Sequence, residues 1–156
     1  MPASIAHLLI GSRVLTRLAD WNTSASTAGT FLLGCMLVDV HAFSAYTRGY
    51  MHFTDDLVPH SSDPSQTSCA NFLQQLDRLL VQPWSALSQV QRCFVAGYTC
   101  HLAADQPWKA LSERLLQQAG AASWAEMNIP GDVSLTACDA LAQQRLTNAP
   151  QVYAAL

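Results

Sequence analysis

The stretch Ser88-Gln-Val-Gln-Arg-Cys-Phe-Val-Ala-Gly-Tyr-Thr-Cys-His-Leu-Ala-Ala-Asp105 decides how the chain is read. Ser88, or Ser85 just before it, can cap a helix, and nothing in the run breaks one before Pro107. Cys93 and Cys100 stand seven residues apart, a spacing that suits a helix face turned into a core, where free cysteine behaves as a small hydrophobe. His101 and Asp105 are four apart, so on a helix one stands above the other on the same face. An imidazole nitrogen and a carboxylate oxygen are both good zinc donors, and this spacing can present the two to one ion. The surrounding residues Phe94, Val95, Ala96, Tyr98, Leu102, Ala103 and Ala104 are apolar, and an ionised Asp among them needs a partner or a cation. The same spacing also fits an ordinary surface His–Asp pair, and this motif alone does not choose.

Outward from this run the chain reads as helices joined by polar loops. Ser4 can cap a first helix, with Ile5, Leu8, Leu9, Leu15 and Leu18 at helical spacing. Thr23 to Thr30 is small and polar and reads as a loop, with Thr30 capping an apolar helix from Phe31 to about Asp39. Tyr46 to Gln66, rich in Gly, Pro, Ser, His and Asp, reads as a long loop of the kind that carries function. Asn71 to Val81 reads as a helix stopped by Pro83. Beyond the interruption expected at Pro107, a continuation through Leu111, Leu115 and Leu116 ends near Gly120, and Gly131 and Ser134 introduce a last helix up to about Leu146. No convincing run alternates with period two for five residues or more. The expectation is an all-α fold, one helical-bundle domain over residues 1–156.

The bulk composition agrees with a packed domain. Half of the 156 residues are hydrophobic and 12% are charged, the reverse of a disordered chain. The net charge is −3 and the seven arginines and one lysine are scattered, so long nucleic acids find no electrostatic footprint. The longest apolar run, Phe31 to Val38, is too short to span a bilayer, so no stable membrane insertion is expected. Five cysteines (Cys35, Cys69, Cys93, Cys100 and Cys138) give an odd count without a Cys-x-x-Cys pair, which argues against a disulfide framework. With no basic, apolar leader evident at Met1, the expected location is the cytoplasm.

Two more residues pose the question that Asp105 poses. Asp39 closes the buried-looking run Phe31-Leu-Leu-Gly-Cys-Met-Leu-Val38, and its carboxylate faces either a loop or a polar site between helices. His52 sits in Arg48-Gly-Tyr-Met-His-Phe-Thr-Asp-Asp56, where a lone histidine would ordinarily be solvated. Arg48, a permanent cation four residues before His52, either holds an anionic substrate group or pairs with Asp55 or Asp56.

Met1-Pro-Ala-Ser-Ile-Ala-His-Leu-Leu-Ile10, Phe31-Leu-Leu-Gly-Cys-Met-Leu-Val-Asp39, Arg48-Gly-Tyr-Met-His-Phe53 and Phe94-Val-Ala-Gly-Tyr-Thr-Cys-His-Leu-Ala-Ala-Asp-Gln-Pro-Trp108 follow one another in this order. The series resembles the bacterial zinc-dependent phospholipase C family, in particular its short cytoplasmic-type members. It covers roughly the first two-thirds of the chain, with Met51 where the family usually has Thr. The resemblance implies a helical bundle with an internal metal cluster. By motif, Asp39, His52, His101 and Asp105 correspond to the ligands of one zinc. His7 corresponds to a ligand of a second zinc, bridged to the first by Asp105.

The chain also departs from that family. Its secreted members hold a third zinc on two histidines and a glutamate beyond the His-x-x-x-Asp motif, and no histidine follows His101 here. One or two zinc ions are therefore expected. The function expected is a zinc-dependent hydrolase of a small phosphoester or related polar substrate, with Asp39 as ligand or general base and Arg48 in substrate binding. A zinc-dependent cyclase or lyase of small-molecule biosynthesis on the same scaffold is the alternative, and a non-catalytic, metal-stabilised protein is a third. The oligomeric state is left open by the sequence.

Overall fold

The computed structural model describes residues 4–18, 24–43, 45–53 and 68–122, and every regular element among them is helical. The elements are α1 (Ser4–Leu15), α2 (Ala25–Leu37), a 3-10 stretch Val38–Phe43, the short α3 (Arg48–His52), α4 (Ser68–Leu79), a 3-10 turn Trp84–Ala86 and the long α5 (Gln89–Ala119). The all-α expectation holds for the described residues. The helix expected at 131–146 lies outside them, as do Asp55 and Asp56.

The central helix begins at Ser88 rather than Ser85, which lies in the preceding 3-10 turn. The Ser88 hydroxyl accepts from the Gln91 amide at 3.2 Å and the Gln91 side chain accepts from the Ser88 amide at 2.9 Å, so two orphan donors are satisfied together. At the other end Gly120 turns left-handed (φ 66°) and its amide closes onto the carbonyls of Leu116 and Gln117. The interruption expected at Pro107 does not occur: α5 runs straight through it. Proline removes the bond to the carbonyl of Ala103, but Ala103 and Pro107 are both exposed, so water can take that place.

Two other boundaries differ from the sequence reading. α2 starts at Ala25, capped by Ser24 in a capping box with Thr27, and not at Thr30. Thr30 lies inside the helix, its hydroxyl donating to the Ser26 carbonyl at 2.8 Å. The small residues that looked like a loop are helical because Thr27 and Ala28 are buried against the neighbouring helices, so packing overrides propensity. The stretch expected as a loop from Tyr46 contains α3, capped by the Thr47 hydroxyl on the Tyr50 amide. α4 also begins earlier than expected, at Ser68.

α2 and α5 form the main packed pair, and α1 lies across both. Their crossing is made by glycine on each side. A Cβ on Gly97 would fall 1.9 Å from the Phe31 carbonyl oxygen, and one on Gly34 would fall 2.3 Å from that of Phe94. Both obstacles are backbone, so only glycine permits this approach. One core cluster lies around the crossing (Leu8, Leu15, Ala28, Phe31, Leu32, Cys35 and Cys93). A second, under α3 and α4, is built from Val38, Phe72, Tyr98 and Leu102. No helix of the described residues is long and apolar enough to cross a membrane.

Candidate metal centre

Five titratable side chains from four segments meet within this framework. His7 comes from α1, Asp39 from the 3-10 stretch after α2, His52 from α3, and His101 with Asp105 from α5. His7, His52, His101 and Asp105 are buried, and the Asp39 side chain is 14% exposed. Burying three imidazoles and two carboxylates together is costly unless their charges and lone pairs are engaged.

The distances say what engages them. His52 Nε2 lies 3.5 Å from Asp39 Oδ1 and 3.5 Å from Asp105 Oδ2. His101 Nε2 lies 3.7 Å and 3.8 Å from the same two oxygens. A good N–H···O hydrogen bond is about 2.9 Å long, whereas metal bonds of about 2.1 Å place the corners of a tetrahedron about 3.4 Å apart. Each of these nitrogen–oxygen pairs is spaced as two ligands of an ion are, rather than as hydrogen-bond partners. Among the described residues, His101 Nε2, His7 Nε2 and both oxygens of Asp105 have no hydrogen-bond partner.

The outer ring nitrogens are held by backbone. His101 Nδ1 lies 2.7 Å from the Cys35 carbonyl oxygen, and His52 Nδ1 lies 3.0 Å from that of Arg48. A carbonyl can only accept, so each ring carries its proton on Nδ1 and turns the Nε2 lone pair into the cluster. This is how histidine ligands are oriented at metal sites. His101 is also kept neutral: burial first, then the neighbouring His7, pushes its pKa down to about 4. Burial works to raise the Asp39 carboxyl, but the rings of His52, His101 and His7 outweigh it and hold the group below its ordinary range. At neutral pH His101 is therefore a neutral imidazole and Asp39 an ionised carboxylate.

His7 occupies the other side of Asp105. Its Nε2 lies 3.3 Å from Asp105 Oδ1, while His52 and His101 face Oδ2. The His7 ring stacks on His101 with centroids 3.7 Å apart. Asp105 thus offers one oxygen to each side. Two overlapping ligand groups result, His7–His101–Asp105 and Asp39–His52–His101, and either can hold a metal ion.

Arg48 reaches Asp105 Oδ2 at 3.7 Å with its side chain 45% exposed, so its guanidinium joins the buried carboxylate to solvent. His52 itself is fixed from both flanks. The Tyr98 hydroxyl donates to the Met51 carbonyl, and the Asn71 amide donates to the Phe53 carbonyl at 3.0 Å. Phe53 ends α3 in the left-handed region (φ 54°), unusual for a bulky residue, and packs its ring on Phe72 and Tyr98. Burial, chiefly, and Tyr50 push the Tyr98 hydroxyl up to about 12, so it stays protonated and able to donate.

All six residues singled out in the sequence, His7, Asp39, Arg48, His52, His101 and Asp105, lie in this one place. What the sequence did not indicate is the supporting layer: the carbonyls of Cys35 and Arg48, Tyr98 and Asn71. A backbone acceptor has no residue signature, and only the i,i+4 spacing of Arg48 and His52 could have pointed to one of them. Comparison with protein-family models, curated proteins and solved structures found no match to this chain.

Proposed function

We propose that this chain is a zinc-dependent hydrolase resembling phospholipase C, acting on a small phosphoester or related polar substrate in the cytoplasm. The observation that carries the reading is that the Nε2 atoms of His52 and His101 each face Asp39 and Asp105 oxygens at ligand-to-ligand distances, with both imidazoles oriented by backbone carbonyls. The ordered motifs that resemble the phospholipase C family add to it. Zinc suits a donor set of imidazole and carboxylate, and Asp105, with one oxygen toward each side, suits one ion or a bridged pair.

When bound, zinc supplies Lewis acidity that activates water near neutral pH and polarises a phosphoryl oxygen. The chain supplies the rest. Asp39 is more exposed than Asp105 and is ionised, so it can take a proton from the attacking group. Arg48, half-exposed beside the cluster, can hold the anionic group of the substrate. The His101 imidazole stays neutral, and backbone carbonyls fix the tautomers of His101 and His52.

The absence of any histidine after His101 favours a second reading, a zinc-dependent cyclase or lyase of small-molecule biosynthesis. Fewer cations share the charge of a phosphoryl transition state, while activation of a single carbonyl remains available. Assays of the zinc-loaded protein on a phosphocholine ester, a nucleotide diester and small carbonyl compounds, with His52→Ala as background, separate the readings. Turnover of a phosphoester that His52→Ala abolishes supports the hydrolase, and turnover of carbonyl compounds alone supports the second reading. Zinc-replete protein that folds without binding metal would sink both.

A further inference from the structure

We propose that Lys109 stands with Arg48 as a pair of cations at the mouth of the metal centre, and that the substrate of the proposed hydrolase is a phosphoester carrying a second anionic group, which Lys109 binds. His101, Asp105, Lys109 and Glu113 follow at intervals of four on α5, so they form one slowly turning stripe along the helix. Their side chains are 0%, 9%, 38% and 54% exposed in that order. The stripe climbs from the buried cluster into solvent, and the cluster opens along it toward Lys109. Arg48 reaches the same carboxylate from α3, its guanidinium 3.7 Å from Asp105 Oδ2 and its side chain 45% exposed. Both cations therefore stand where the cluster meets water.

Their surroundings give them different tasks. Arg48 is engaged with Asp105 and is placed for the group that reacts at the cluster. Lys109, the one lysine of the chain, lies a helical turn further out, about 6 Å along the axis. Its amino group has Glu113 Oε1 at 4.0 Å, but both side chains are well exposed, and a pair of this kind holds little energy. Lysine before glutamate is also the weaker order at this spacing, so the contact does little for the helix. An incoming anion can replace Glu113 at small cost. The charge of Arg48 is felt at Lys109 as well: burial lowers the Lys109 pKa, Glu113 opposes the shift, and Arg48 adds to it.

The spacing of the two cations selects among phosphoesters. One with a carboxylate or second phosphate about a helical turn from the reacting phosphorus meets both. One that ends in an ammonium group brings a positive charge against Lys109 and is disfavoured.

Three phosphonates of similar length, which bind without being hydrolysed, test this on the full zinc-loaded chain. They are 3-phosphonopropionate, propylphosphonate and 2-aminoethylphosphonate, ending in a carboxylate, a methyl and an ammonium group. Titration calorimetry should find the carboxylate compound bound about fivefold tighter than the methyl compound, and the ammonium compound weakest. Lys109→Gln should bring the three affinities together with that for propylphosphonate little changed, and Glu113→Gln should keep the order. Equal affinities in the parent, or an order unchanged in Lys109→Gln, overturn the role of Lys109 and leave the metal-dependent reading standing. That reading, on which this inference rests, fails separately if propylphosphonate binds the zinc-replete parent no better than His52→Ala, and the role of Lys109 then falls with it.

Discussion

His101 and Cys35, 66 residues apart in the chain, are joined by a buried hydrogen bond of 2.7 Å from the imidazole Nδ1–H to the backbone carbonyl. The bond crosses from α5 to α2 at the point where glycine lets the helices touch, so the direction of the ring depends on that crossing. Gly97→Ala tests the dependence. The added methyl would meet the Phe31 carbonyl at 1.9 Å, and backbone cannot step aside cheaply. A loss of about 3 kcal/mol is expected in urea unfolding, together with weaker metal binding.

Metal content is the most direct check. Elemental analysis of zinc-replete protein should find about one or two ions per chain, the number that the ligand groups allow. Chelator should lower the melting temperature of the parent and leave that of His101→Ala nearly unchanged. At a free zinc concentration a thousand times the dissociation constant, the stabilisation removed is about 4 kcal/mol.

The metal-free protein should lose stability as the pH falls from about 6.5 to 4. His101 has a pKa of about 4 when folded, against 6.5 in an unconstrained chain, because burial disfavours its charge. Below 6.5 the unfolded chain takes a proton that the folded one refuses, so unfolding is favoured. The stability is intact above 6.5, and its loss amounts to roughly 3 kcal/mol once the pH falls to the folded value. Asp39, held below its usual 3.8, adds a further loss only at lower pH. Urea midpoints of chelated protein across this range, compared with His101→Gln, isolate the slope.

Tyr98→Phe should keep the ring packing of the second core cluster and lose the bond to the Met51 carbonyl. A partly buried acceptor loses its partner, at a cost of about 1 kcal/mol. Because that bond steadies the turn carrying His52, zinc affinity should fall about tenfold in a chelator competition.

Arg48→Ala should raise KM about tenfold and change kcat little if the guanidinium holds the anionic part of the substrate before and during reaction. Arg48→Lys should recover part of the loss, since the charge returns without the planar fork. An equal fall in kcat and kcat/KM would instead place the group at the reacting atoms.

How much of this was legible varies by residue and for physical reasons. Ser88 and Gly120 announce the ends of α5 because capping is local chemistry, and His101 with Asp105 announce a shared face because spacing is local too. Asp39, His52 and His7 were reached only through the order of motifs. Periodicity describes one helix at a time and is silent on which helix ends meet. Ser24 lost to Thr30 as a cap because Ala25–Thr30 gains its helicity from burial of Thr27 and Ala28, a tertiary effect. Gly97 reads as a weakness in an apolar helix until Gly34 is seen opposite. The carbonyls that orient the imidazoles are backbone groups, which the side chains of Cys35 and Arg48 do not announce.

The candidate ligands come from positions 7, 39, 52, 101 and 105, and only the last two are neighbours in the chain. A ribosome-fresh or denatured chain can therefore offer an ion little more than the local His101–Asp105 pair. The other donors arrive only after loops of tens of residues have closed, an entropy that must be met before the ion is gripped. Zinc would thus be a late guest in folding, discriminating sharply between finished and unfinished molecules. Such a site works as a lock turned after assembly rather than as a seed around which the bundle condenses.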